Sequence, residues 1–97
     1  AYVGFKQYGS RDKHFLVSQS GHVAGIINPP SKKKYGHYAL ETGNPATPDA
    51  WMEAADFHEG SWWPRWAEWL ARRSGAKVAP RHPGDSTNEV LCAAPGT

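Results

Sequence analysis

The sequence predicts an α/β fold, and three features of the chain support that prediction. Residues 14–18 form an apolar run without the alternation of a half-exposed strand, which is typical of a strand buried on both faces in a mainly parallel sheet. Segments 47–60 and 61–75 carry the start and stop signals of two helices. Because a parallel strand needs neighbours and the chain offers no second convincing strand, we expect the 97 residues to be part of one larger domain rather than a complete one.

A histidine between two glycines follows the predicted strand. Gly21 and Gly25 bracket His22, so the backbone can turn sharply there and other groups can come close. A strand that delivers a histidine at its carboxyl end is the way in which α/β-hydrolase-type enzymes place their general base, and the histidine comes last in the order of that triad. The alternative is a surface histidine in a glycine-rich turn, and the local pattern alone favours that alternative.

The first two helices are marked by residues that suit helix ends. Segment 2–8 repeats apolar side chains on one side of a short helix, which Gly9 would end. The next helix would begin with Thr47 as its N-cap and Pro48 in its first turn, where a proline costs no hydrogen bond. Gly60 would close it.

The third helix carries a stripe of large apolar side chains. Ser61 is its predicted cap, and Gly75 would end it in the left-handed conformation. Glu68 and Arg72 are spaced for a weak ion pair on its polar side. The stripe consists of Trp62, Trp66, Trp69 and Leu70. Because a tryptophan stripe at helical spacing is more often core than ligand site, we expect it to pack against the body of the domain.

Two connecting stretches are predicted to be irregular. Residues 28–30, Asn-Pro-Pro, stop any helix. Loop 31–38 is basic and aromatic, with Lys32–Lys34 beside tyrosines, and it indicates a solvated surface or, alternatively, a local anion site. Residues 78–97 read as an extended tail.

Composition excludes some classes of protein. A net charge of +2 is too small to argue for a nucleic-acid partner. One cysteine cannot form an internal disulfide, which fits a reducing compartment. No apolar run approaches the length of a membrane span. With 8 prolines, 10 glycines and 39% hydrophobic residues, the chain has few apolar side chains from which to build a core of its own, and this again favours a piece of a longer protein.

Four segments together resemble the carboxyl-terminal end of a class I polyhydroxyalkanoate synthase. They are residues 21–30 with the following lysines, 60–70, 74–77 and 93–96. The combination of the histidine motif with Gly-Ser-Trp-Trp-Pro about forty residues on is specific, whereas either half alone would be only suggestive. The similarity runs over nearly the whole chain, 1–97, and is least distinctive in 41–49 and 81–92.

The resemblance implies a fold and an activity. It implies that the chain is the carboxyl-terminal part of an α/β-hydrolase-type catalytic domain: its last strand, the histidine loop, the following helices and the tail. The family polymerises (R)-3-hydroxyacyl-CoA into a polyester and releases coenzyme A, so acyl-CoA is the substrate and no cofactor is expected. The expected partners are the growing polyester and the remainder of the synthase chain, in a homodimer at the surface of cytoplasmic polyester granules.

One site residue follows from the resemblance. His22 matches the histidine of the family's Cys-Asp-His triad, while the family's cysteine elbow and aspartate precede the region where this chain begins. Cys92 lacks the elbow glycines and is not assigned the nucleophile's role. No motif surrounds the other histidines, which are predicted to be structural or exposed: His14, His37, His58 and His82.

Two other classes stay open at this point. In one, the chain is a non-catalytic module whose tryptophans lie on a polyester or lipid surface. In the other, the whole protein is a serine hydrolase of the same superfamily, and the residue at the upstream elbow would decide between the two enzymes.

Overall fold

The computed structural model describes residues 1–93, so the last part of the fourth resembling segment lies outside the described residues. Within these residues, three helices and three short strands form in the order α1, β1, β2, α2, β3, α3, with one turn of 3₁₀-helix at Pro30–Lys32. Their bounds are α1 Tyr2–Gln7, β1 Leu16–Ser18, β2 His37–Ala39, α2 Pro48–Ala54, β3 Asp56–His58 and α3 Trp63–Ala71. The α/β character predicted from the sequence is confirmed.

The three strands form one antiparallel sheet in the order β1-β2-β3. Leu16 pairs with Ala39, and His37 in turn pairs with His58 across β2 and β3. The expectation of a single strand is therefore wrong, and within residues 1–93 β1 has an antiparallel neighbour rather than parallel ones. Its three residues are only partly buried. Strands of three residues are too short to show a period of two, which is why the sequence concealed β2 and β3.

The second helix is shorter than its pattern suggested. Thr47 caps it as predicted, since its hydroxyl accepts a hydrogen bond from the Ala50 backbone N–H at 3.2 Å. The helix ends at Ala54, however, and β3 occupies part of the segment up to Gly60 that was expected to be helical. The Phe57 ring packs on Tyr38 across the strand pair, with ring centroids 5.1 Å apart. Strand pairing thus overrides the local helix signal.

A small aromatic core joins α1 to α2. Tyr2, Phe5 and Trp51 are buried there, and Phe15 packs against them. The Phe15 ring meets Trp51 edge-on at 5.0 Å, the arrangement that ring quadrupoles favour. The Tyr2 hydroxyl donates to the Pro45 carbonyl at 2.7 Å, which fixes the approach to α2.

The third helix forms where it was predicted, with two local corrections at its ends. Its N-cap position is Trp62, and the Ser61 hydroxyl instead accepts a hydrogen bond from the Trp63 backbone N–H at 3.1 Å. Arg72 ends the helix in a right-handed conformation, and Gly75 is not left-handed. The predicted ion pair between Glu68 and Arg72 forms at 3.4 Å on the exposed side. Of the helices that the structure describes, none has the length and apolar character needed to cross a membrane.

Candidate functional site

The histidine predicted from the sequence lies in a tight turn that folds back on β1. The Gly25 backbone N–H donates to the Gly21 carbonyl at 2.7 Å, and the Ile27 N–H donates to the Val23 carbonyl at 2.9 Å, so residues 21–27 form a short helical turn closed by two overlapping hydrogen bonds. Gly25 is buried against Ser18, where a Cβ atom would lie 2.6 Å from the serine Oγ. The close approach predicted for this loop is confirmed, and only a glycine fits at Gly25 without movement.

His22 stands at the start of this turn with an exposed side chain. Within residues 1–93 its imidazole makes no hydrogen bond or ion pair, and the apolar side chains of Val23, Ile26 and Ile27 beside it are exposed as well. Cys92, in contrast, is an exposed thiol in the tail after α3. The loop therefore presents a free imidazole on an apolar rim.

The far end of the loop is held by a buried amide. Asn28 is only 2% exposed, and its Nδ2 donates to the carbonyls of Lys34 at 2.9 Å and Tyr35 at 3.2 Å. Lys33 and Tyr35 both take left-handed backbone conformations, with φ of 48° and 53°, which costs non-glycine residues energy. The two bonds from Asn28 compensate for that strain and close the lysine loop into a compact unit.

The two segments that made the family resemblance specific are in direct contact. The Trp62 indole N–H donates to the Gly25 carbonyl at 2.9 Å, and the Trp63 indole N–H donates to the Ile26 carbonyl at 2.9 Å. Both bonds reach from the beginning of α3 to the histidine loop. The sequence showed that these motifs occur together, and the structure gives a physical reason for it.

A second cluster of polar groups, which sequence reasoning missed, lies where β2 meets β3. The His37 and His58 rings stack with centroids 5.3 Å apart, because the strand register places them side by side. His37 is 4% exposed, and its Nδ1 lies 3.0 Å from the Gly60 carbonyl. That carbonyl can only accept, so Nδ1 carries the proton and donates. Detecting this pair required the strand pairing, which the sequence did not reveal.

Charge around this pair is arranged by an arginine. Arg65 of α3 reaches the Glu41 carboxylate at 2.6 Å and lies 3.3 Å from the His58 Nε2. The hydrogen bond from Arg65 holds the pKa of the Glu41 carboxyl below its ordinary value. Burial lowers the pKa of His37, against the opposing effect of its bond to Gly60. His37 is therefore a buried imidazole whose surroundings favour its neutral form.

Two residues of the tryptophan stripe, Trp66 and Trp69, line an open cleft of about 740 Å³ next to this cluster. Trp66 is 49% exposed, while Trp69 is partly buried and stacks against the Arg73 guanidinium at 4.0 Å. Residues 1–93 thus leave the stripe only partly covered. In the same part of the chain, no group of three or more metal-ligating side chains comes together.

Comparison with known proteins gives matches along nearly the entire chain. The poly(3-hydroxyalkanoate) polymerase subunit PhaC of Rhizobium etli is 39% identical over 98 residues, covering 99% of this chain and 15% of that protein. Poly(3-hydroxyalkanoate) polymerase 2 of Ectopseudomonas oleovorans is 44% identical over 89% of this chain and 15% of its own length. The PhaC subunit of Cupriavidus necator is 38% identical over 92% of this chain and 18% of its own length. No family model matches the chain.

All three relatives are named as poly(3-hydroxyalkanoate) polymerases or as subunits of one. The chain is similar to one segment of these poly(3-hydroxyalkanoate) polymerases, which confirms the resemblance to polyhydroxyalkanoate synthases drawn from its motifs. It spans 15% to 18% of the length of the three relatives described above.

Proposed function

We propose that the whole protein is a class I polyhydroxyalkanoate synthase, and that this segment supplies the histidine of its catalytic triad, His22. The observation that supports the proposal is the conformation of the loop. His22 lies between two glycines in the loop after β1, its side chain is exposed, and the loop backbone accepts hydrogen bonds from Trp62 and Trp63 of the Gly-Ser-Trp-Trp-Pro motif. The relatives' names supply the reaction, polymerisation of 3-hydroxyalkanoates.

The chemistry explains why an imidazole is needed. A thiol with an ordinary pKa near 8.5 is only a few per cent thiolate at neutral pH, and a neighbouring imidazole that takes its proton makes it a strong nucleophile. The thiolate attacks the thioester carbonyl of the 3-hydroxyacyl-CoA, the carbon–sulfur bond to coenzyme A breaks, and the imidazolium returns the proton to the leaving thiolate. An acyl-cysteine remains. The hydroxyl of the next monomer then loses its proton to the histidine or the aspartate and attacks that acyl group, so an ester bond forms, the carbon–sulfur bond to the cysteine breaks and the cysteine thiolate is released.

The proposed setting for this site is the edge of a larger α/β-hydrolase-type sheet. Among residues 1–93, β1 pairs with β2 along one edge, so its other edge is open to a strand from elsewhere in the protein. A parallel strand placed there would join β1 to that sheet, with β2 and β3 continuing it on the other side and His22 beyond the carboxyl end of β1. The exposed side chains of Val23, Ile26 and Ile27 would then be covered by the body of the catalytic domain.

The same proposal covers the protein's surroundings. The complete enzyme would take acyl-CoA as a substrate and need no cofactor. It would act as a homodimer at the surface of cytoplasmic polyester granules, with the growing chain still attached.

Turnover of three forms of the complete enzyme tests the proposal. We expect His22→Ala to lower coenzyme A release from 3-hydroxybutyryl-CoA by about 10³-fold or more, by analogy with other triads, with little change in melting temperature. Cys92→Ser is the matched control and should stay within about twofold of the parent, because an exposed tail thiol makes no transition-state contact. An active His22→Ala variant refutes the assignment of His22 as the triad histidine. An inactive Cys92→Ser variant would show instead that Cys92 is the nucleophile.

A further inference from the structure

The carbonyls of Gly25 and Ile26 lie at the end of the histidine turn, where they need donors from outside it. If the turn continued as a helix, each carbonyl would accept the backbone N–H four residues further along. Those residues are Pro29 and Pro30, and proline has no N–H to donate. The chain therefore ends the turn with two carbonyls that the helix cannot satisfy.

Two indoles supply the missing donors. Trp62 and Trp63 donate to the Gly25 and Ile26 carbonyls in the same order as the two prolines that cannot, each at 2.9 Å. An indole N–H is a donor only, so its sole hydrogen-bonding use is to point at an acceptor of this kind. The match is one to one: two adjacent prolines remove two donors, and two adjacent tryptophans replace them.

The donors come from the beginning of α3. Trp63 is the first residue of α3, and the Trp62 ring packs against Trp66 one turn further on, with centroids 5.7 Å apart. Arg65 ties the same helix to Glu41. Arg65 also lies 3.3 Å from the His58 Nε2 of β3, so the helix that carries the two indoles reaches the sheet through these polar groups.

We infer that Trp62 and Trp63 are positioning residues that hold the His22 turn in its productive place, acting through the loop backbone rather than on the substrate. This inference rests on the proposed role of His22 as the triad base. The bonded carbonyls lie three and four residues beyond His22, within the same turn. We call the two indole hydrogen bonds the clamp. A displacement of about 1 Å in a catalytic group can cost on the order of 10²-fold in rate, so loss of the clamp should lower turnover.

The test removes the two N–H groups and leaves the shape of the side chains. In the complete enzyme, Trp62 and Trp63 are replaced, singly and together, by the analogue in which sulfur takes the place of the indole N–H, 3-benzothienylalanine. We expect kcat for coenzyme A release to fall about tenfold for each replacement and about 10²-fold for both, with KM within about twofold. The same replacement at Trp66, whose indole donates to no group within residues 1–93, is the control and should leave kcat within twofold.

Three results separate the clamp from a merely structural role and from the role of His22. A lowered melting temperature with unchanged kcat per folded enzyme would show that the indoles stabilise the fold only, and it overturns the inference. Full activity of the double replacement, together with an inactive His22→Ala enzyme, overturns the inference and leaves the proposed function intact. Activity of His22→Ala overturns the proposed function itself. In support of the clamp, the double replacement should cause no further loss in the His22→Ala background, since both changes then act on the same missing group.

Discussion

The contact between Gly25 and Ser18 predicts a specific effect of adding one methyl group to the histidine loop. In Gly25→Ala, the new Cβ would lie 2.6 Å from the Ser18 Oγ, 2.8 Å from the Ser18 Cβ and 2.9 Å from the Gly21 carbonyl oxygen. Ordinary contact begins near 3.4 Å, so the closest of these atoms must move apart by about 0.8 Å. Gly25 is not left-handed, and the crowding alone therefore sets the cost.

The expected magnitudes follow from that displacement. Overpacking a tight site by one methyl typically costs about 1–3 kcal/mol of stability. Moving the turn by a large fraction of an ångström should lower kcat about 10- to 10²-fold if His22 is the base. Thermal unfolding of the complete enzyme measures the first effect, and coenzyme A release measures the second.

Two further variants make this prediction sharp. Gly21→Ala, at the other end of the turn, adds a methyl group with no atom within 4 Å and should change stability by less than about 0.5 kcal/mol. Ser18→Gly combined with Gly25→Ala removes two of the three close contacts and should recover part of the lost turnover. Wild-type turnover and stability in Gly25→Ala would refute the packing described for this loop.

Two other predictions concern the body of the fold. Trp51→Ala removes the largest side chain of the aromatic core, which is 2% exposed, and should cost about 3–5 kcal/mol in a denaturant melt of the complete enzyme; a loss below about 1 kcal/mol would show that the core lies elsewhere. The pKa of His37, which lies beside His58 and Arg65, is lowered in the folded protein. In the unfolded chain the His37 imidazole therefore takes up a proton near pH 6.5, whereas in the folded protein it is still neutral at that pH. Stability should therefore be complete above about pH 6.5 and be lost as the pH falls from there through the folded pKa, and His37→Asn should flatten this dependence between pH 7.5 and 5.5; an unchanged slope would contradict it.

The sequence predicted the helices and the histidine loop better than it predicted the sheet. Helix signals such as Thr47 and Pro48 act within a few residues, so they can be read locally. β3 has no such signal. Its residues, including Phe57, form a strand because Tyr38 and the rest of β2 lie beside them. Tertiary pairing of three-residue strands is decided by contacts distant in sequence, and local patterns do not contain it.

The same limit applies to the candidate site residues. His22 was predicted because glycines and a motif surround it in the sequence, whereas the stacked pair of His37 and His58 depends on strand register and was not predicted. Of the two tryptophans in the Gly-Ser-Trp-Trp-Pro motif, only Trp62 was expected to pack as part of the stripe. The sequence did not predict the hydrogen bonds from Trp62 and Trp63 to the Gly25 and Ile26 carbonyls, because only the fold brings residues 37 positions apart together.

The central claim is that His22 serves a cysteine outside these 97 residues. The most direct measurement mixes the complete enzyme with 3-hydroxybutyryl-CoA for a single turnover, then maps the attached acyl group by mass spectrometry of its peptides. We expect the acyl group on a cysteine outside residues 1–97, and its rate of attachment should fall by about 10³-fold in His22→Ala. An acyl group on Cys92, or undiminished acylation in His22→Ala, would contradict the claim.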